Sequence, residues 1–368
     1  MKMEHNSHDY SSKKNIMILI PAHNEEKIIE KTIKSVIDSK CLVDKEIYTT
    51  DIVVIGDNCT DGTVSIARSK GACVVKRTYQ GALQGKGKTL DWFMHSYKDM
   101  VIASDYIAII DADTIVAENF IETMINMFSC KNILVVQSFY DVLPPIEHWR
   151  TILLSVALRA LHHTRASGRM FLGGTAGLKG NGMMFRSSIL DTYGWPAHSI
   201  AEDAEFSAIL ACDDIVVSYV PETVVYGTMT HTYKDASEQR ARWENGHWLM
   251  VKKWLPKFFI SFFRKPSLLS FDGIMNCIIP PLSIFVGLQC VTIIVTYLLA
   301  PYLTIASCSF LLITTAYIFS SLVQTKAPLR LYLGLLCSPI YIVWKFWLYL
   351  TKIGRKTTVW QPSKREKR

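Results

Sequence analysis

Two carboxylates stand one residue apart at the end of an apolar run, in "YIAIIDADTIV", residues 106–116, where Asp111 and Asp113 flank Ala112. Anions that close repel each other and lose hydration, so something cationic has to compensate them. A divalent metal is one such cation, because hard ions take carboxylate oxygens. An Asp-rich turn, whose side chains bond their own backbone, is the other reading of the same pair. Further polar residues follow apolar runs in the same manner: Asn24 and Glu25 after "NIMILIPA", and Asp57 at the end of "DIVVIGD". Beyond them lie Lys86 in the glycine-flanked "GKG", Glu202 and Asp203 in "AEDAEF", and Gln239, Arg242 and Trp243 in "QRARW".

The elements that position these residues alternate along the chain. An apolar strand over 15–22 is followed by a helical pattern from Glu25 to about Asp38, with Ile28, Ile29, Ile33, Val36 and Ile37 on one face. A second strand ends at Asp57, "NCTDGT" caps a helix through Lys70, and "CVVKR" is a third strand. A helix from near Gly87, a strand over 106–110, a helix over 118–128 and the strand "NILVVQSF" complete the series. Short apolar strands alternating with helices predict a doubly wound, mostly parallel α/β sheet. Ligands of such sheets sit beyond the carboxyl ends of the strands, where Asn24, Asp57, Asp111 and Asp113 all fall. Residues 146–165 form one amphipathic helix, which either lies at a membrane interface or packs on the core. The glycine-rich "GGTAGLKGNGMMF" allows backbone to approach a ligand closely, or is a plain flexible loop.

The C-terminal third differs in composition. The 52 residues from Ile274 to Thr325 include no charged side chain. As helix at ~1.5 Å per residue they extend ~78 Å, enough for two crossings of a bilayer core ~30 Å thick. The next apolar run, Leu331–Trp344, is shorter and contains Pro339, and it passes into Lys345, Trp347 and Tyr349. Residues 331–350 either span with their flanks, as a third crossing, or lie re-entrant or interfacial. Residues 351–368 carry seven Lys or Arg and one acid, a basic tail expected on the cytoplasmic side against anionic lipid. "NIMILIPA" runs straight into "HNEE", as a buried strand does and a signal segment does not. The first 250 residues are therefore expected on the cytoplasmic side of a multi-pass cell-membrane protein. The nine cysteines include no C-x-x-C pair, which disfavours zinc and disulfides. The formal charge of +8 has no basic, aromatic-interleaved stripe in its soluble part, so no nucleic-acid partner is expected.

Seven segments in order, "ILIPAHNEE", "VVIGDNCTDGT", "GKGKTLD", "IIDADT", "GGTAGLKGNGMMFR", "GWPAHSIAEDAEFSAIL" and "QRARW", resemble family-2 glycosyltransferases. The likeness covers residues 15–255, and the apolar C-terminal region fits the membrane-integrated branch that includes cellulose, hyaluronan and poly-N-acetylglucosamine synthases. The resemblance implies a GT-A-type fold divided into a nucleotide-sugar-binding half (1–145), an acceptor-binding half with interfacial helices (146–265), transmembrane or interfacial helices (266–350) and a basic tail (351–368).

It also implies roles. Asp57 bonds the base or ribose; Asn24, Glu25, Lys86, Asp111, Gln239 and Arg242 serve the donor; Asp113, with Asp111, holds Mg2+ or Mn2+. Asp203, with Glu202 beside it, is the base, and Trp243 and Gly182 face the acceptor. A single basic carboxylate implies one in-line displacement with inversion, whereas glycoside hydrolysis needs a second carboxyl. Acids opening a helix are also ordinary N-terminal capping. The donor expected is a UDP-linked sugar and the acceptor a growing cell-surface polysaccharide, with a lipid acceptor as the alternative. Partner membrane subunits or a homo-oligomer are compatible with either.

Overall fold

The computed structural model describes residues 13–40, 43–44, 47–81, 85–229 and 233–352. The basic tail beyond Lys352 lies outside these residues.

Eight strands form one sheet: β1 (Lys14–Ala22), β2 (Tyr48–Asp57), β3 (Cys73–Arg77), β4 (Tyr106–Ile109), β5 (Thr114–Val116), β6 (Val135–Val142), β7 (Met183–Arg186) and β8 (Val217–Gly227). Their order is β3-β2-β1-β4-β7-β6-β8-β5. The central strand β1 is apolar on both faces because both are covered. Ile16, Ile18 and Ile20 pack with Ile29, Ile33 and Phe120, while Met17 and Leu19 pack with Phe93, Trp195 and Phe206. The sheet is the expected α/β arrangement of GT-A type, parallel over β3-β2-β1-β4 and again over β6-β8.

The departures from parallel pairing matter for the site. Strand β7, part of the glycine-rich stretch that also fits a loop, runs antiparallel between β4 and β6. Its start therefore meets the end of β4, with Met183 opposite Ile109. That register carries the glycine-rich segment 177–182 to the edge where Asp111 and Asp113 emerge. The short β5 pairs antiparallel with β8, which brings Gly227 opposite Thr114.

The helix expected over 146–165 is interrupted. Trp149–Leu158 is α-helical, Arg159–Thr164 is a π-turn, and Arg165–Phe171 resumes the α-helix. Arg159 fixes the turn by pairing with Asp141 at 2.6 Å and donating to the Thr325 carbonyl at 3.0 Å. The Tyr317 hydroxyl donates to the Ala160 carbonyl, so the turn is tied to the apolar helices as well as to the sheet.

Three C-terminal helices are long and apolar enough to cross a membrane: Leu282–Leu299, Pro301–Gln324 and Leu329–Tyr349. Leu288, Val291, Ile294, Phe310, Leu312, Ile313, Leu333 and Ile340 are exposed on them. So much unpartnered apolar surface suits lipid and not water. The third helix is longer than the apolar run suggested. Its Lys345 is buried and pairs with Glu244, so that lysine does not join an interfacial belt.

Candidate active site

The carboxyl ends of β1, β2 and β4 open into a cavity of about 1830 Å³. His23, Glu25, Asp57, Lys86, Asp111 and Asp113 line it from the sheet edge. Glu202 and Asp203 reach it from the start of the helix Glu202–Cys212, and Gln239, Arg242 and Trp243 from the helix Tyr233–Arg264. Spacing explains the last group: positions i, i+3 and i+4 share one helical face.

The sheet-edge residues are held by their neighbours. Asp57 accepts from Arg77 Nη1 at 3.1 Å and from Thr89 Oγ1 at 2.8 Å, and its carbonyl accepts from His23 Nδ1 at 2.7 Å. Lys86 Nζ donates to the Asp111 carboxylate and the Gly180 carbonyl. Burial alone would lower the Lys86 pKa, but Asp111, Glu202 and Asp203 together hold it above its ordinary value. The Asp111 amide donates to Asn181 Oδ1 at 3.1 Å, and Asn181 Nδ2 to Thr114 Oγ1 at 2.7 Å. Thr228 Oγ1 donates to Asp113 Oδ2 at 3.1 Å.

On the opposite wall, burial pushes the carboxyls of Glu202 and Asp203 above the usual carboxylate range, and for Glu202 the neighbouring Asp203 charge adds to this. Gly180 has φ +76°, and a Cβ there would lie 3.3 Å from Asp203 Oδ2. A side chain at 180 would therefore crowd that carboxylate. Arg240, buried behind the motif face, stacks 4.5 Å from the Trp243 ring centroid and donates to Gln239 Oε1 at 3.1 Å.

Two sequence-selected residues lie away from the cavity lining. Asn24, at φ 55°, accepts from the Thr60 amide at 2.8 Å and joins the loops after β1 and β2. A Cβ at Gly182 would fall 2.3 Å from Ser138 Oγ and 2.7 Å from Val225, so this glycine answers to packing under the sheet. Asp61 does what turn chemistry predicts, accepting from the Thr63 amide at 3.0 Å. The sequence reading did not select Asn181, Thr228, Arg240, Lys179, Arg165 or His162. Of these, Arg240 lies inside "QRARW" and Lys179 and Asn181 inside the glycine-rich segment; the others carried no local signal.

Among the described residues no three His, Cys, Asp or Glu side chains gather as a metal cage. Asp111 and Asp113 nonetheless offer hard oxygens to the cavity, and Mg2+ is commonly held by one or two carboxylates together with substrate phosphates. The donor set fits an ion shared with a diphosphate.

The family model described as glycosyl transferase family group 2 matches residues 106–354, more than half of the chain. The chain belongs to this family. The model for glycosyl transferase family 2 matches residues 17–194. The chain is 24% identical over 252 residues to "Probable glycosyltransferase YdaM" of Bacillus subtilis, across 66% of this chain and 58% of that protein. It is 34% identical over 133 residues to a 4,4'-diaponeurosporenoate glycosyltransferase of Staphylococcus aureus, across 34% of this chain and 32% of that protein. The chain thus spans under two thirds of the length of either relative. Among solved structures, a mannosyltransferase from Pyrobaculum calidifontis in complex with GDP-Man and Mn2+ aligns over 88% of this chain and 90% of its own, with a TM-score of 0.47 and 14% identity.

Proposed function

We propose that this glycosyltransferase moves a sugar, with inversion, from a nucleotide diphosphate to an acceptor whose apolar part lies between the C-terminal helices. The observation that carries the reading is the continuity of the cavity. The space bounded by Asp111, Asp113 and Asp203 is also walled by Val286, Ile318, Phe319, Leu336 and Ile342. A polar head can meet the carboxylates while its chain stays against apolar side chains, a burial that contributes ~25 cal/mol per Å². The staphylococcal relatives, named as 4,4'-diaponeurosporenoate glycosyltransferases, support a lipid-type acceptor. Extension of a polysaccharide is the second reading, favoured by the "QRARW" segment.

In this reading Asp57 contacts the base or ribose of a UDP-linked hexose or N-acetylhexosamine. Lys86, Gln239 and Arg242 hold the diphosphate, and Trp243 offers a face to a sugar ring. A divalent ion held by Asp111 and Asp113 would neutralise charge on the departing diphosphate. Asp203 takes the proton of the acceptor hydroxyl as that oxygen bonds C1 opposite the breaking C1–O bond. A carboxylate raised by burial is the stronger base for that step.

The test incubates membranes containing the full chain with a panel of labelled nucleotide sugars, with and without excess chelator, and then extracts and sizes the product. One discrete organic-soluble product supports the lipid reading, and a ladder of water-soluble products replaces it with polymerisation. Turnover undiminished by chelator removes the metal role. No transfer from any donor removes the enzymatic reading.

A further inference from the structure

Where the polar part of the cavity meets the apolar helices, it carries two cationic side chains that no described acid pairs directly. Lys179 and Arg165 both line the cavity, and among the described residues neither the Lys179 ammonium nor the Arg165 guanidinium has a hydrogen-bond or ion-pair partner. Their neighbour Arg169 differs, being bound by Asp272 through two contacts of 2.7 Å, which uses up the nearby acid. His162 joins them from the π-turn. Its ring stacks on Tyr140 at 5.8 Å, and its Nδ1 is buried without a partner. Burial pulls the imidazole pKa down to about 3, so His162 adds a polar atom and no charge. Burial, then the Arg169 and Arg165 charges, bring Lys179 down to about 7.

The position of the group indicates what it would hold. Lys179 precedes Gly180, which borders the Asp203 carboxylate. Arg165 follows the π-turn and feels Tyr317 of the helix Pro301–Gln324. One side of the cation pair is thus the proposed base and the other is apolar helix, whereas Lys86 and the Asp111–Asp113 pair stand at the sheet edge. Cations taken out of water without counter-ions are costly, and an anionic group with several acceptor oxygens offsets that cost through charge-assisted bonds. We infer that Lys179 and Arg165, with His162 beside them, form a subsite for the phosphate of an anionic amphiphilic acceptor. Its chain lies along the apolar helices and its hydroxyl reaches Asp203. The assignment of this ligand as acceptor rests on the glycosyl-transfer reading; the subsite itself does not, and binding without any nucleotide sugar separates the two.

The probes are 1-lauroyl-glycerol 3-phosphate and 1-monolauroylglycerol, which share a chain and a free hydroxyl and differ in the phosphate. Their binding to the purified full chain in neutral detergent is compared with that of inorganic phosphate and of UDP with Mg2+. The phosphorylated lipid should bind at least tenfold more tightly than the neutral one. Lys179→Met and Arg165→Gln should each erase that difference, Lys179→Arg should retain it, and UDP affinity should stay within twofold throughout. Equal affinity of the two lipids for the unaltered chain overturns the subsite without recourse to any variant. Inorganic phosphate binding as tightly as the lipid phosphate overturns the amphiphile. A loss of UDP affinity matching the loss of lipid affinity assigns the cations to the donor and overturns the proposal. Selective lipid binding without transfer from any donor supports the subsite and removes the glycosyl-transfer reading.

Discussion

Asp203 and Lys179 feel each other's charge without pairing, and burial has moved each away from its ordinary ionisation. Asp203→Asn keeps the shape and removes the proposed proton acceptor, so turnover should fall by ~10²–10⁴-fold. Donor binding, measured in parallel, should persist; if Glu202→Gln is the crippling change and Asp203→Asn is mild, the two roles are reversed. The groups that face Lys179 are His162 on the π-turn, Arg165 and Arg169 on the next helix, Asp203, and Asp272 on Leu268–Ile278. Near pH 7 His162 stays neutral, Lys179, brought down to about 7, loses its charge as pH rises, and Glu202 on the same cavity wall, raised to about 7, gains negative charge over the same interval. Affinity for 1-lauroyl-glycerol 3-phosphate should therefore fall as pH rises from 6.5 to 8.5, although the phosphate itself gains charge over that interval. Isothermal titration at several pH values reads the sign, and a flat profile would remove Lys179 from the subsite. Asp57, Asp111 and Asp113 were legible in the sequence because they follow apolar strands, and Glu202 and Asp203 because they open a helix inside a recognisable segment. Lys179, Arg165 and His162 were not, since a lysine in a glycine-rich loop and cations on an amphipathic helix look like solvated side chains until the fold turns them inward. Asn24 and Gly182 show the converse: both stand in motif segments, yet one joins two loops and the other packs beneath Val225.

At the scale of elements, the helix Tyr233–Arg264 is held from behind. Glu244, one residue after Trp243, is buried and accepts from Lys345 Nζ and the Tyr349 hydroxyl of the third apolar helix. Removing one partner of a buried ion pair leaves the other uncompensated, at a cost of ~3–5 kcal/mol, whereas replacing both by apolar groups is often neutral. Glu244→Leu and Lys345→Met should each lower thermal stability and transfer, and the double variant should recover most of the stability. Thermal unfolding of the four proteins in detergent checks this, and strictly additive losses would show that the pair is not coupled. Nothing in the sequence joins residues 101 positions apart. The strands β1, β2 and β4 were legible as apolar runs, whereas β3, an edge strand with Cys73 and Lys76 exposed, shows by its place in the alternation. The strand β5 has three residues and β7 four, too few for a period to show, and the antiparallel sense of β7 is set by its neighbours. The π-turn escaped for a related reason: it inserts into an otherwise unbroken helical pattern, and its cause, the Arg159–Asp141 pair, is a contact across the fold.

For the whole molecule, the open quantity is the number of crossings. Three helices have the length, while the basic composition of residues 351–368 draws the tail to the side of the catalytic domain. Two crossings satisfy the charge bias if Leu329–Tyr349 lies re-entrant or along the interface, and the inward Lys345 gives that helix a reason to stay with the catalytic domain. A single cysteine placed after Trp360, with the native cysteines replaced, should resist an impermeant thiol reagent on intact cells and react after permeabilisation. Labelling of intact cells would establish three crossings. Composition made the apolar third legible and could not show its packing, because lipid-facing and protein-facing apolar residues are the same types.

The Glu244–Lys345 clamp has one more consequence. An apolar helix that responds to the membrane is tied at Glu244, one residue from Trp243 and two from Arg242. Where the hydrocarbon is thinner or thicker than the apolar helices, they tilt or shift to relieve hydrophobic mismatch, at fractions of a kcal/mol per Å. Through the clamp that displacement reaches the walls of the cavity. Turnover in vesicles of graded acyl-chain length should pass through a maximum that the Lys345→Met variant flattens, which would make membrane thickness a control on the enzyme.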